Sequence, residues 1–203
     1  MMPRRLIYLG LAATLLLPPG ALATTVEPPE FKDLIGQADY VVRGVVVSLS
    51  SEWRQTDDGR RYIASQVEIN VNDAIKGTPP EKVVLQFLGG RVGDDELVVE
   101  GAPKFQIGEE DIFFVHGNGR MISPFVGIMH GVYPVLHNFG SGQDYVLRSN
   151  GMPLYSEQDV SLPMTRLSDV KLQNPAAQPI TAAAFIRQVR QVPAHGQPSV
   201  NEN

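Results

Sequence analysis

The chain has 203 residues, 43% of them hydrophobic and 19% charged, with a formal net charge of −5. This composition excludes a disordered tail or a polytopic membrane protein and points to one soluble domain. Nineteen glycines and sixteen prolines favour short elements and tight turns over a helical bundle, and the seventeen scattered Lys and Arg exclude the clustered basic surface that a nucleic-acid partner needs.

Arg4 and Arg5 precede an apolar run over residues 6–17, followed by Pro-Pro-Gly and the small-residue triplet Ala21-Leu22-Ala23. This is the layout of a secretory signal peptide, with cleavage expected after Ala23. The run falls short of the ~20 residues that cross a bilayer as a helix. The mature chain of 180 residues would carry a net charge of −7, insert in no membrane and lie in the periplasm or outside the cell. With no cysteine it has no disulfide, no lipid anchor on cysteine, no thiolate chemistry and no cysteine-based zinc site, so its stability must come from a hydrophobic core.

Residues 24–30 form a Pro-rich lead-in, after which Phe31, Leu34, Ile35 and Ala38 fall at helical spacing and predict a short helix ending at Gln37. Residues 40–50 (YVVRGVVVSLS) read as a buried strand bent or bulged at Gly44. Ile63, Val67, Ile69, Val71 and Ile75 then alternate with polar residues, which predicts a second strand of about a dozen residues. Asp58-Gly59 between the two predicts an antiparallel hairpin. Residues 76–82 read as a turn, 83–90 as a third strand, 112–115 as a short apolar strand, and 131–137 and 145–148 as two more. Residues 152–179 read as a polar surface loop, Thr181 as the cap of a helix over 180–192, and residues from 193 onward as a disordered tail. Together these predict a mainly β domain over residues 31–151, a small antiparallel OB-like barrel of five to seven strands with a short N-terminal and a C-terminal helix.

The ordered set ADYVVRGVVVS (38–48), VNDAIKG (71–77), VVLQFLGG (83–90), GAPKFQIGEEDIFF (101–114) and PFVGIMHGVYPV (124–135) resembles an uncharacterised family of exported bacterial proteins with an OB-like barrel. The resemblance covers about residues 30–192. Over residues 38–90 the rhythm of the first three strands is also similar to the netrin-like module of the tissue inhibitors of metalloproteinases. Those inhibitors place an amino-terminal cysteine on the protease zinc, whereas this chain would begin at Thr24 and has no cysteine. The resemblance therefore implies a fold, and suggests inhibition only without that device.

Candidate chemistry is sparse. The triplets Asp94-Asp95-Glu96 and Glu109-Glu110-Asp111 lack the spacing that would converge roughly six to eight oxygens on calcium. Glu109, following Gly108, has a structural alternative in accepting backbone N–H bonds that fix the turn. His116, His130 and His137 have no zinc-ligand spacing. Ser123, His130 and Asp144 are the one group from which a triad could be assembled, and no Gly-x-Ser-x-Gly elbow surrounds Ser123. Phe125, Ile128, Met129 and Tyr133 offer either an apolar ledge or core packing. Trp53, Arg54, Arg60 and Arg61 place an aromatic beside guanidinium groups on the first hairpin, which predicts a contact surface, with a tryptophan covering the barrel end as the alternative. The reading favoured is a non-catalytic exported module without cofactor or metal. It would recognise another protein, with a protease among the candidates, through its barrel-mouth loops. Envelope glycan binding is the alternative, and a hydrolase or metal-dependent enzyme comes third.

Overall fold

The computed structural model describes residues 27–138, 140–164 and 178–193. The expected signal peptide, residues 24–26 of the lead-in, residues 165–177 of the expected loop and residues 194–203 of the expected tail lie outside the described residues.

Helix α1 (Phe31–Gln37) leads into β1 (Tyr40–Gln55), which forms a hairpin with β2 (Arg61–Lys76). The turn is closed at Asp58-Gly59, where Thr56 N–H donates to the Arg60 carbonyl at 2.9 Å and Gly59 adopts φ +87°. Strands β3 (Lys82–Leu88), β4 (Gly90–Val92), β5 (Asp95–Leu97), β6 (Glu110–Val115), β7 (Val132–Asn138) and β8 (Gln143–Val146) follow. Helix α2 (Ala182–Gln191) ends the described chain, and Thr181 caps it by accepting from Ala184 N–H at 3.2 Å.

Six strands form one antiparallel sheet in the order β3-β2-β1-β6-β7-β8, and β4 and β5 make a separate hairpin absent from the sequence-based expectation. The fold is mainly β as predicted, with the expected strand number and both helices, but the sheet does not close into a barrel. The reason lies at the β3 edge. Its outward backbone groups are taken by a loop, Asn118 Oδ1 accepting from Gln86 N–H at 3.0 Å, Asn118 Nδ2 donating to the Val84 carbonyl and the Ile122 carbonyl accepting from Leu88 N–H. An edge satisfied in this way has no free ladder for a closing strand.

Both faces of the sheet are buried, which explains why β1 and β6 read as continuous apolar runs. One face packs Val41, Ile112, Phe114, Tyr133 and Val146 against α1 and α2, with the Phe185 ring 5.1 Å from Tyr133 and 5.7 Å from Phe31. The other face gathers Val42, Val46, Ile69, Leu85, Phe113 and Phe125, with Phe105 laid over the last two. The expected surface loop also contributes: Glu157–Ser161 is a 3-10 helix, and Leu154 and Val160 are buried in the first core. Over residues 152–164 that segment lies at the surface, with Tyr155, Glu157, Gln158, Leu162 and Pro163 exposed, and is anchored by these two side chains. Buried Arg148 donates to the carbonyls of Leu162 and Pro163 and holds it in place.

Gly44 marks the bend foreseen in β1. Residue pairing steps from Arg43 opposite Asp73 to Gly44 opposite Val71, so Asn72 is the extra residue of a β-bulge. A Cβ at Gly44 would stand 2.5 Å from the Asn70 carbonyl oxygen and 2.6 Å from Ile69 Cγ2. Gly44→Ala is therefore expected to cost about 1–3 kcal/mol of overpacking strain. Urea unfolding checks this, and a loss below about 0.5 kcal/mol, the scale of an ordinary surface change, would contradict the close approach.

Candidate functional site

A row of polar side chains borders the first core, one from each of five adjacent strands. In four of them the polar residue lies two positions from a core residue: Arg43 from Val41, Glu110 from Ile112, His137 from Val135 and Asp144 from Val146. Side chains two apart in a strand share a face, so all four emerge along the same rim. Asn72, the extra residue of the β2 bulge, joins the same row through Glu110.

The Arg43 guanidinium donates from Nη2 to Glu110 Oε2 and Asp144 Oδ2, both at 2.7 Å. Asn72 Nδ2 donates to Glu110 Oε1 at 2.8 Å. The His137 ring lies between the carboxylates, Nδ1 2.8 Å from Asp144 Oδ1 and Nε2 3.2 Å from Glu110 Oε2. Burial alone would raise the Glu110 carboxyl, but the Arg43 and Asn72 hydrogen bonds outweigh it and hold Glu110 below the usual range. Asp144 is likewise held low, by hydrogen bonds first from Arg43 and then from His137.

Glu110, His137 and Asp144 each offer one ligand atom within 4.8 Å of the others, the raw material of a metal site. Their arrangement serves another purpose. An ion takes one nitrogen of an imidazole, yet the two nitrogens of His137 face different carboxylates, and Arg43 already occupies an oxygen of each. A divalent cation would have to compete with the guanidinium for these carboxylate oxygens. The network works instead as a clamp with its own internal cation.

Directly behind this row, Asp111 points to the opposite face, where it is 1% exposed and neither carboxyl oxygen has a hydrogen-bond partner among the described residues. Its cross-strand neighbours explain the isolation: Gly44 has no side chain and Pro134 has no donor. Burial, with the neighbouring charges of Glu109 and Glu110, pushes the Asp111 carboxyl up to about 8. The acidic triplet thus splits three ways, Glu110 to Arg43, Asp111 to the core and Glu109 to the Gln106 N–H at 3.0 Å, the turn-fixing role expected for it.

The structure does not assemble Ser123, His130 and Asp144. Ser123 Oγ and His130 Nδ1 have no hydrogen-bond partner among the described residues, and Asp144 is engaged by Arg43 and His137. Burial, aided by Arg148, lowers His130 to about 4, which makes it a poor base. His116 stands apart, with Nδ1 3.5 Å from Asp39. Of the predicted ledge, Phe125 and Tyr133 are core residues, as packing would have them.

On the first hairpin, Trp53 is 38% exposed and the Arg61 guanidinium carbon lies 4.4 Å over its ring. Arg54 projects from the other face of the ribbon, paired with Glu52 at 2.7 Å and donating to Gln86, while Arg60 pairs with Asp58 at 2.8 Å. The structure therefore unites Trp53 with Arg61 and sets Arg54 and Arg60 apart from them. No protein-family model matches the chain, and no curated protein matches it.

Two opposing pH effects follow from the carboxyl groups. Asp111 binds a proton in the folded chain between about pH 4 and about pH 8 that the unfolded chain releases, so its contribution is full below about pH 4 and is lost as pH rises through about 8. Glu110 and Asp144 act in reverse, stabilising above the ordinary carboxylate range and losing that contribution as pH falls through their depressed folded values. Below about pH 6.5 the lowered His130 opposes Asp111, so urea unfolding should show the fall in stability from about pH 6.5 to about pH 7.5, by up to about 1.4 kcal/mol per pH unit. Asp111→Asn should flatten that slope, and a slope unchanged in the variant would contradict the assignment.

Proposed function

We propose that this chain is an exported, non-catalytic module that binds another protein through the tip of its β1–β2 hairpin. The observation that carries the reading is the Trp53–Arg61 stack. Beyond Ser48 the β1 strand of the ribbon is exposed at five of its seven positions, and the stack gives it a rigid aromatic anchor beside a cation. Tryptophan and arginine are the side chains that most often dominate protein interfaces, and a cation already resting on an indole loses little freedom when a partner covers both. A secreted or envelope protease remains the partner class suggested by the likeness of the first three strands to a protease-inhibitor module.

Glycan binding fits the same surface less well. A sugar stacks on an open aromatic face, and the guanidinium of Arg61 lies over one face of this ring. Export, to the periplasm or beyond, rests on the leader-like layout of residues 1–23. Among the described residues no helix is long and apolar enough to cross a membrane.

The test is affinity capture from native envelope and culture-supernatant fractions, with the full exported chain as bait and Trp53→Ala and Arg61→Ala baits as controls. The reading expects a protein enriched by the wild type and lost with both variants, whose melting temperatures stay close to the wild type. Equal enrichment by all three baits, or loss of fold in Trp53→Ala, would contradict it, the second by showing that Trp53 belongs to the core.

A further inference from the structure

Away from the hairpin tip, a cleft of about 620 Å³ opens at the end of the second core. Phe87, Phe125, Val99, Pro103, Ile122 and Ile128 supply its apolar lining. That volume lies within the roughly 300–1,000 Å³ of small-molecule sites, which are largely apolar with a few polar groups at the edge. The lining at Ile122 is held in place before any ligand arrives, because the loop carrying Ile122 is hydrogen-bonded to the β3 edge through Asn118 and the Ile122 carbonyl. Yet Met121 and Ile122 leave 56% and 64% of their surface exposed, a costly arrangement for two large apolar side chains side by side.

Two further observations mark the same place. Ile128, which lines the cleft, is the one non-glycine among the described residues with positive φ, at +58°. A β-branched residue is strained there, and such strain gathers at ligand clamps. Among the described residues the lining holds no carboxylate, and Arg120 is its one permanent charge. His116 and Arg120 line the cleft, whereas Asp39, the carboxylate nearest to them, does not. Arg120 is 75% exposed, and its side-chain ion pair, with Asp39, spans 3.6 Å, so the guanidinium is available at the mouth of a chain that is otherwise net negative.

We infer that this cleft binds a free, single-chain amphiphile, with its apolar body on Phe87 and Phe125 and its anionic head group at Arg120. The site is independent of the hairpin surface, so it stands or falls separately from the protein-binding reading.

Decanoate, with decan-1-ol as its neutral counterpart, is the probe, the first kept below its micelle-forming concentration and the second below its solubility limit, each titrated calorimetrically into the full chain. The expected result is saturable one-to-one binding of decanoate, with decan-1-ol weaker by about fivefold, the scale of one exposed charge pair. Arg120→Gln should remove that difference. Ile122→Glu, at an exposed lining position, should weaken decanoate about tenfold or more without lowering the melting temperature, and Ala102→Trp should do the same by filling the cleft. Absence of saturable binding by the folded wild type, or binding unchanged in Ile122→Glu, would overturn the site. Equal binding of the two probes by the wild type would overturn the anionic head group. Uptake only from phosphatidylglycerol vesicles, and not of free decanoate, would overturn the free ligand in favour of a membrane surface.

Discussion

Arg43 is the side chain on which the two halves of this sheet depend for a common edge. It stands on β1, the strand that pairs with both β2 and β6, and its guanidinium reaches past β6 to Asp144 on β8. The contact joins residues 101 apart in sequence, and the bond to Glu110 joins residues 67 apart. Burying the Glu110 carboxylate at the rim of an apolar core would be costly alone, so the charge is tolerable because Arg43 and Asn72 meet both of its oxygens. Asn72, the extra residue of the bulge beside Gly44, supplies the second of those donors.

The two faces of β6 show how one short strand serves opposite electrostatic ends. Glu110 faces the rim and is held ionised by donors, whereas Asp111, one residue on, faces a core lined by a glycine and a proline and is held protonated by burial. The protein thus confines ion pairing to a border and leaves the cores apolar, apart from Asp111 and a few buried groups such as His130 and Arg148. Both surfaces proposed for binding lie at the periphery, the stacked pair on the first hairpin and the cleft behind the loop that covers the β3 edge.

Much of this fold was legible along the chain because its signals are local. The odd-position aliphatics of β2, the Asp58-Gly59 turn, the break at Gly44 and the Thr181 cap each act over a few residues, and each has the predicted structural effect. The open sheet was not legible, because what meets the β3 edge is an asparagine, Asn118, in a glycine-rich turn and one carbonyl, that of Ile122, with no strand pattern between them. The polar row was missed for a related reason: its five members lie on five strands, and each alone resembles a solvated residue. A signal did exist in Arg43, a charge inside the apolar run YVVRGVVV that needs a counter-charge on the same face. Finding that partner required the register of β6 and β8, which no spacing in the sequence supplies.

The claim that Arg43 clamps β8 to the centre of the sheet is tested most directly by a double-mutant cycle of Arg43→Met and Asp144→Asn, measured by urea unfolding at neutral pH and moderate salt. The account predicts a coupling energy of about 1 kcal/mol between the two positions, modest because Asp144 is partly exposed. Effects that add to within about 0.3 kcal/mol would contradict it, and would mean that the sheet is held together by its cores alone.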